Sequence, residues 1–126
     1  MTSNELDKDW LEKEEALARL TGARLTSVQF VLSYLILGFD EKGALTTLVW
    51  PELVKGETRV EFGTQGYRDA LCALIEKTAV QVTIERDETI SIDFEEATEM
   101  RIPLQSYKGA GERAILTGPR HYLCVF

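Results

Sequence analysis

The strongest constraint on this fold is a run of period-two alternation between residues 80 and 104. Val80, Val82 and Ile84 alternate with Gln81, Thr83 and Glu85. Arg86-Asp87-Glu88-Thr89 then turns the chain, and Ile90, Ile92 and Phe94 alternate with Ser91, Asp93 and Glu95. After Glu95-Glu96-Ala97-Thr98, Met100, Ile102 and Leu104 alternate with Arg101 and Pro103. Side chains in a strand point to opposite faces in turn, so this pattern predicts a three-stranded antiparallel meander with one apolar and one wet face. Proline cannot donate to a ladder, which puts Pro103 at a sheet edge or a strand end.

The rest of the chain is read outward from that meander. Residues 4–21 predict a helix: Leu6, Trp10, Leu17 and Leu20 form one apolar stripe, Ser3 or Asn4 can cap the start, and Gly22 can stop it. Trp10 is the expected anchor of that helix. Residues 24–62 predict strands. Val28, Phe30, Leu32, Tyr34 and Ile36 form one apolar series, expected as a long strand bent or bulged near Ser33. Asp40-Glu-Lys-Gly43 is a turn, Ala44 to Trp50 a return strand ended by Pro51, and Thr58 to Phe62 a short strand. Residues 67–78 predict a second helix on Leu71, Leu74 and Ile75, with Thr64 near its cap. Lys108-Gly-Ala-Gly-Glu112 reads as a loop, and Arg113 to Thr117 with His121 to Phe126 as a last strand pair about Gly118-Pro119. The expected fold is a single α+β domain over residues 1–126, with a mostly antiparallel β-sheet, an N-terminal helix and one central helix packed against it.

Composition narrows the function. Fourteen Lys and Arg against 21 Asp and Glu give a formal net charge of -7. Nucleic-acid binding by bulk charge is disfavoured, because a polyanion demands the opposite sign. The start of the chain has no apolar core of a secretory signal, and no apolar run approaches the roughly 20 residues of a membrane span, so no membrane association is expected and the cytoplasm is the expected compartment. Cys72 and Cys124 sit in apolar patterns and are expected as two buried thiols.

No cofactor, metal or catalytic set is implied. The single histidine, His121, has no nucleophile-elbow sequence beside it. His121 and Cys124 are three apart in a predicted strand and face opposite ways, which removes the one zinc-like pair. Gly63-Thr-Gln-Gly66 precedes a helix but lacks the Lys-Ser/Thr of a phosphate-binding loop. Carboxylates dominate instead. Glu85, Asp93, Glu95 and Glu99 on the wet face, with Asp87, Glu88 and Glu96 in the turns, read as solvated charge or as a negative patch that steers a basic protein partner. Trp50 at its strand end reads first as a lid on the core, though it and Tyr107, in the glycine loop, are residue types enriched in interfaces.

The Val28-x-Phe30 to Phe39-Asp40 region, the return ending in Trp50-Pro51 and the acidic alternating segment resemble the small bacterial immunity proteins of contact-dependent and polymorphic toxin systems, and the Gly118-Pro119 to Phe126 end is similar to uncharacterised bacterial domains that close on a Gly-Pro turn and short strand. That resemblance implies a non-enzyme that blocks a toxin's active site or substrate surface; the net charge and the carboxylate patch add the expectation that it neutralises a basic toxin domain through an acidic face. The other functions the sequence admits are a small-ligand module, with a pocket between the sheet and the 67–78 helix, and a self-associating structural domain.

Overall fold

A computed structural model describes residues 3–85, 89–104 and 113–126, and side chains from Trp10 onward except that of His121. The turn at Asp87 and Glu88, the loop carrying Tyr107 and Lys108 to Glu112, and the side chains of Ser3, Asn4, Leu6 and His121 lie outside that description.

The fold is α+β. In chain order it comprises α1 (Ser3–Ala18), β1 (Leu25–Val31), β2 (Tyr34–Phe39), β3 (Gly43–Thr47), β4 (Glu52–Lys55), β5 (Thr58–Val60), α2 (Tyr67–Cys72), β6 (Ala79–Glu85), β7 (Thr89–Phe94), β8 (Thr98–Pro103), β9 (Ala114–Gly118) and β10 (Tyr122–Val125). The strands form two five-stranded antiparallel sheets, ordered β1-β2-β3-β9-β10 and β5-β4-β8-β7-β6. Their inner faces share a core: Leu35, Leu37, Phe39, Leu45 and Leu116 from the first sheet, and Ile90, Ile92, Phe94, Met100 and Ile102 from the second. Phe39 and Phe94 stack across it, with ring centroids 6.4 Å apart.

The meander is β6-β7-β8, as its alternation predicts. One position departs. A register shift between Ala79 and Gln81 puts Ala79 inside and leaves Val80 exposed, so the apolar phase begins correctly only at Val82. Although β8 is an interior strand, its last residue, Pro103, pairs with Thr89 beyond the end of the β4 ladder, where no donor is needed.

The series expected as one bent strand from Val28 is instead a tight hairpin. Val31 pairs with Tyr34 across a turn at Leu32 and Ser33, and Leu32 is fully exposed. A reversal after an odd offset flips the phase: Phe30 shares a face with Leu35, not with Tyr34 and Ile36. Tyr34 and Ile36 therefore point away from the core, and Leu35, Leu37 and Phe39 fill it.

The second helix is also shorter than its pattern. It is α-helical only over Tyr67–Cys72, and the bonds Leu74 N–H to Leu71 O, Ile75 N–H to Cys72 O and Lys77 N–H to Leu74 O tighten the chain after it. The Glu76 N–H is taken by Leu25 O and the Lys77 carbonyl by Leu25 N–H, so residues 76–79 are drawn out of the helix to clip against residues 22–25. The N-cap is Gly66 at φ 87° with no side-chain cap, not Thr64. Cys72 is exposed, contrary to expectation, because this short helix buries Tyr67 and Leu71 and turns Cys72 outward. Both cysteines are free thiols.

At the other end α1 packs on β6 through Ala16, Leu17 and Leu20, and Trp10 lies half-buried against the core with its indole N–H donating to Glu14 Oε1 at 2.6 Å. The last residue is tied down by Phe126 N–H to Ala114 O and Arg113 N–H to Phe126 O.

One core position violates the ordinary rule for polar groups. Thr47 is fully buried between Leu35 and Ala114, and its Oγ1 has no hydrogen-bond partner. Replacing a buried, unsatisfied hydroxyl by a methyl of the same shape removes its desolvation cost. Thr47→Val is expected to raise stability by about 1 kcal/mol, read as a higher urea midpoint with unchanged slope.

Candidate functional site

The carboxylates singled out in the sequence do not lie together. β7 sets Glu85 about 20 Å from Glu95, at roughly 3.4 Å per residue, with the paired Asp93 and Glu99 between them. Glu85 stands exposed beside Thr89 at one end. Glu95 and Glu96 follow Phe94 at the other, in a single 3₁₀ turn. That gap exceeds a Debye length of about 8 Å at physiological ionic strength, so the two ends act as separate charges in solution.

Most of the described carboxylates are also engaged within the chain. Glu95 Oε1 accepts the Thr78 backbone N–H at 2.6 Å, and that bond holds its carboxyl below the usual range. Glu96 Oε1 lies 2.7 Å from Lys77 Nζ, which likewise lowers its carboxyl. Glu99 accepts from Arg101 Nε at 2.9 Å, and the same guanidinium is 3.8 Å from Glu52. Asp93, paired across the ladder with Glu99, is pushed up first by partial burial and then by the Glu99 charge, with Arg101 opposing. The outer face of the second sheet is thus a mixed surface: Glu52, Glu85, Asp93 and Glu99 against Arg59 and Arg101.

The first sheet is built differently. None of its five strands contains a charged residue. Inner positions of a sheet rarely carry charge, whereas outer ones commonly do, as Glu52, Asp93, Glu99 and Arg101 show in the second sheet. The registers set Gln29, Ile36, Thr46, Ile115 and Val125 side by side across all five strands. The neighbouring outer row is Ser27, Gly38, Ala44, Thr117 and Leu123. Leu123 is 61% exposed, Val125 is exposed two residues along the same strand, and Leu48 is exposed at the far end of the β3–β9 ladder. α1 packs on the other sheet, and α2 meets β1 on its inner side, where the Arg68 guanidinium lies over the Phe30 ring. Sequence reasoning missed this face. Its signal was a strand-by-strand lack of Asp, Glu, Lys and Arg, which becomes a surface only when β3 pairs with β9.

Near the start of the second sheet, an aromatic group closes the core. Trp50 and Phe62 stack at 4.5 Å, and Phe62 meets Tyr67 edge-on at 5.9 Å. Burial pushes the Tyr67 phenol above its ordinary range, and its hydroxyl donates to the Pro51 carbonyl.

Beside α2, an open cavity of about 660 Å³ lies against β4, β5 and the start of β8. No group of three or more His, Cys, Asp or Glu that could hold a metal ion occurs among the described residues, and no described helix is long and apolar enough to cross a membrane. No protein-family model, curated protein or solved structure matches the chain.

Proposed function

We propose that the chain is a non-catalytic protein-binding module, an inhibitor of the immunity type, that docks a basic partner domain on the uncharged outer face of β1-β2-β3-β9-β10. The observation that carries this reading is the segregation of charge: a chain with net charge -7 keeps every charged residue out of one entire sheet. The centres of protein interfaces are depleted of charge and enriched in apolar contact, whereas ordinary exposed sheet faces are wet. With five strands about 4.8 Å apart and about 20 Å long, the face spans roughly 480 Å² in projection. Side-chain relief brings that toward the roughly 800 Å² per partner of a standard interface.

The acidic residues have a different part in this reading. Two copies, each strongly negative, repel at long range, which favours a partner of opposite sign. Glu85, Asp93 and Glu99 lie away from the docking face and contribute to the approach rate rather than to the bound contact. In this proposal the acidic residues read from the sequence steer the partner, and an apolar contact holds it.

The test is co-purification of the tagged chain from its native cells, identification of the retained protein, and measurement of its affinity for two variants. Ile115 lies in the interior of the outer row, between Thr46 and Val125, so Ile115→Lys is expected to weaken binding by about 2 kcal/mol or more, at least tenfold. Glu85→Lys is expected to slow association at low salt and leave the dissociation rate unchanged. Unchanged affinity in Ile115→Lys would remove the proposed surface. A wild-type dimer that Ile115→Lys converts to monomer would replace the basic partner by a second copy.

A further inference from the structure

We propose that the cavity beside α2 is a binding site for an amphipathic monocarboxylate, with the acid group held between Lys55 and Lys77 and the apolar tail lying on Leu53, Val60 and Leu74. Its volume, about 660 Å³, falls within the roughly 300–1,000 Å³ of ordinary small-molecule sites.

Lys55 stands on the wrong face of its sheet for a lysine. Leu53 and Lys55 are two apart on β4 and therefore share a side, and Leu53 is a core residue paired with Val60 and Met100. Lys55 thus projects from the core-facing side of the second sheet, flanked by Thr58 and Thr98. Among the described strands it is the one charged residue on an inner face. A lysine here is tolerated because the covering layer stops short: α2 is six residues long, and Ala70 and Ala73, both lining the cavity, fill little space. Places where a sequence departs from the local rule without structural gain are where function is expected.

The opposite wall supplies the second cation and an internal stand-in for the ligand. Lys77, less than one-third exposed, pairs with Glu96, and Glu96 also feels the charge of Lys55. Glu96 and Ala97 adopt left-handed backbone at φ 64° and 58°, a conformation that non-glycine residues hold only when their surroundings impose it. The strained turn keeps a carboxylate at the mouth of an apolar cavity. Among the lining residues, Lys55, Lys77 and Glu96 leave a charge of +1, the complement of one further carboxylate, while Glu95, which also feels Lys77, is held by the Thr78 N–H. In the bound state the ligand carboxylate bridges Lys55 and Lys77 while Glu96, largely exposed, turns to solvent.

Calorimetric titration of the full chain with decanoate, and separately with decanol, tests this directly. The expected result is saturable one-to-one binding of decanoate, with decanol at least about tenfold weaker because it lacks the charge that meets the lysines. Lys55→Gln is expected to weaken decanoate about tenfold, Glu96→Gln to strengthen it severalfold by freeing Lys77, and Ala73→Trp to abolish it by filling the cavity. Lys55 and Ala73 are exposed, so both variants are expected to keep the wild-type far-ultraviolet circular dichroism. Equal affinity for decanoate and decanol, indifference to Lys55→Gln, or no saturable binding would overturn the proposal. None of these outcomes depends on the protein-docking face.

Discussion

Phe39→Ala is expected to lower stability by about 3–5 kcal/mol, the largest loss of any single side chain in this molecule. Phe39 is fully buried at the end of β2, where it pairs with Leu25 on one side and Gly43 on the other. Its ring is nearly parallel to that of Phe94, so it links the inner faces of the two sheets as well as neighbours within one. Truncation removes the transfer free energy of a benzyl group and leaves a cavity. The backbone around it is held by ladders on both sides and cannot close the gap. For a chain of this length the loss corresponds to a fall in Tm of roughly 10–20 °C. Phe62→Ala is the control. Phe62 also stacks on an aromatic ring, yet it is 56% exposed and is expected to cost about 1 kcal/mol, because little apolar area returns to water. Urea unfolding of the two variants checks the ordering. A Phe39→Ala loss no larger than that of Phe62→Ala would mean that the two sheets do not share a core.

What the sequence revealed, and what it hid, follows from the range of the interactions. Between Val82 and Ile102 the apolar positions lie on the buried face, because strand and hairpin geometry are local and period two is unambiguous there. The same reasoning failed between Val28 and Ile36. A two-residue turn formed from Leu32 and Ser33 carries no glycine, asparagine or proline to announce it, and the phase inverted unseen. Strand β4 was missed because four residues between Pro51 and Gly56 give too little alternation to detect. The division into two sheets depends on β3 meeting β9 and β4 meeting β8, contacts between segments some 45–70 residues apart that leave no local trace. The same local reading could not show that Glu85 and Glu95 stand at opposite ends of β7 or that Glu99 pairs with Arg101. Nothing local marks Lys55 either, and only its register with Thr58 and Thr98 puts it on the inner side.

The junction between β3 and β9 is also where a single methyl group is expected to do the most damage to the proposed docking face. Gly43 opens β3 at φ 133°, a region that side-chain-bearing residues rarely enter. A Cβ placed there would drive into the carbonyl oxygen of Thr117 and lie 2.9 Å from the Gly118 Cα. Both obstacles are backbone, so rotamer changes relieve nothing, and β3 must move away from β9. Gly43→Ala is therefore expected to cost at least about 3 kcal/mol, the sum of the conformational penalty and the displaced ladder. Gly56 separates the two effects. Its φ of 61° is also left-handed, but a Cβ there meets nothing within 4 Å, so Gly56→Ala is expected to cost only about 1 kcal/mol. Because Thr46 and Ile115 are neighbours across the same junction, a displaced β3 splits the uncharged outer row at its middle. Gly43→Ala protein that remains folded is expected to lose hydrogen-exchange protection in β3 and β9 first and to bind the partner as poorly as Ile115→Lys. Full partner affinity alongside selective loss of that protection would show that docking does not use a continuous five-stranded face.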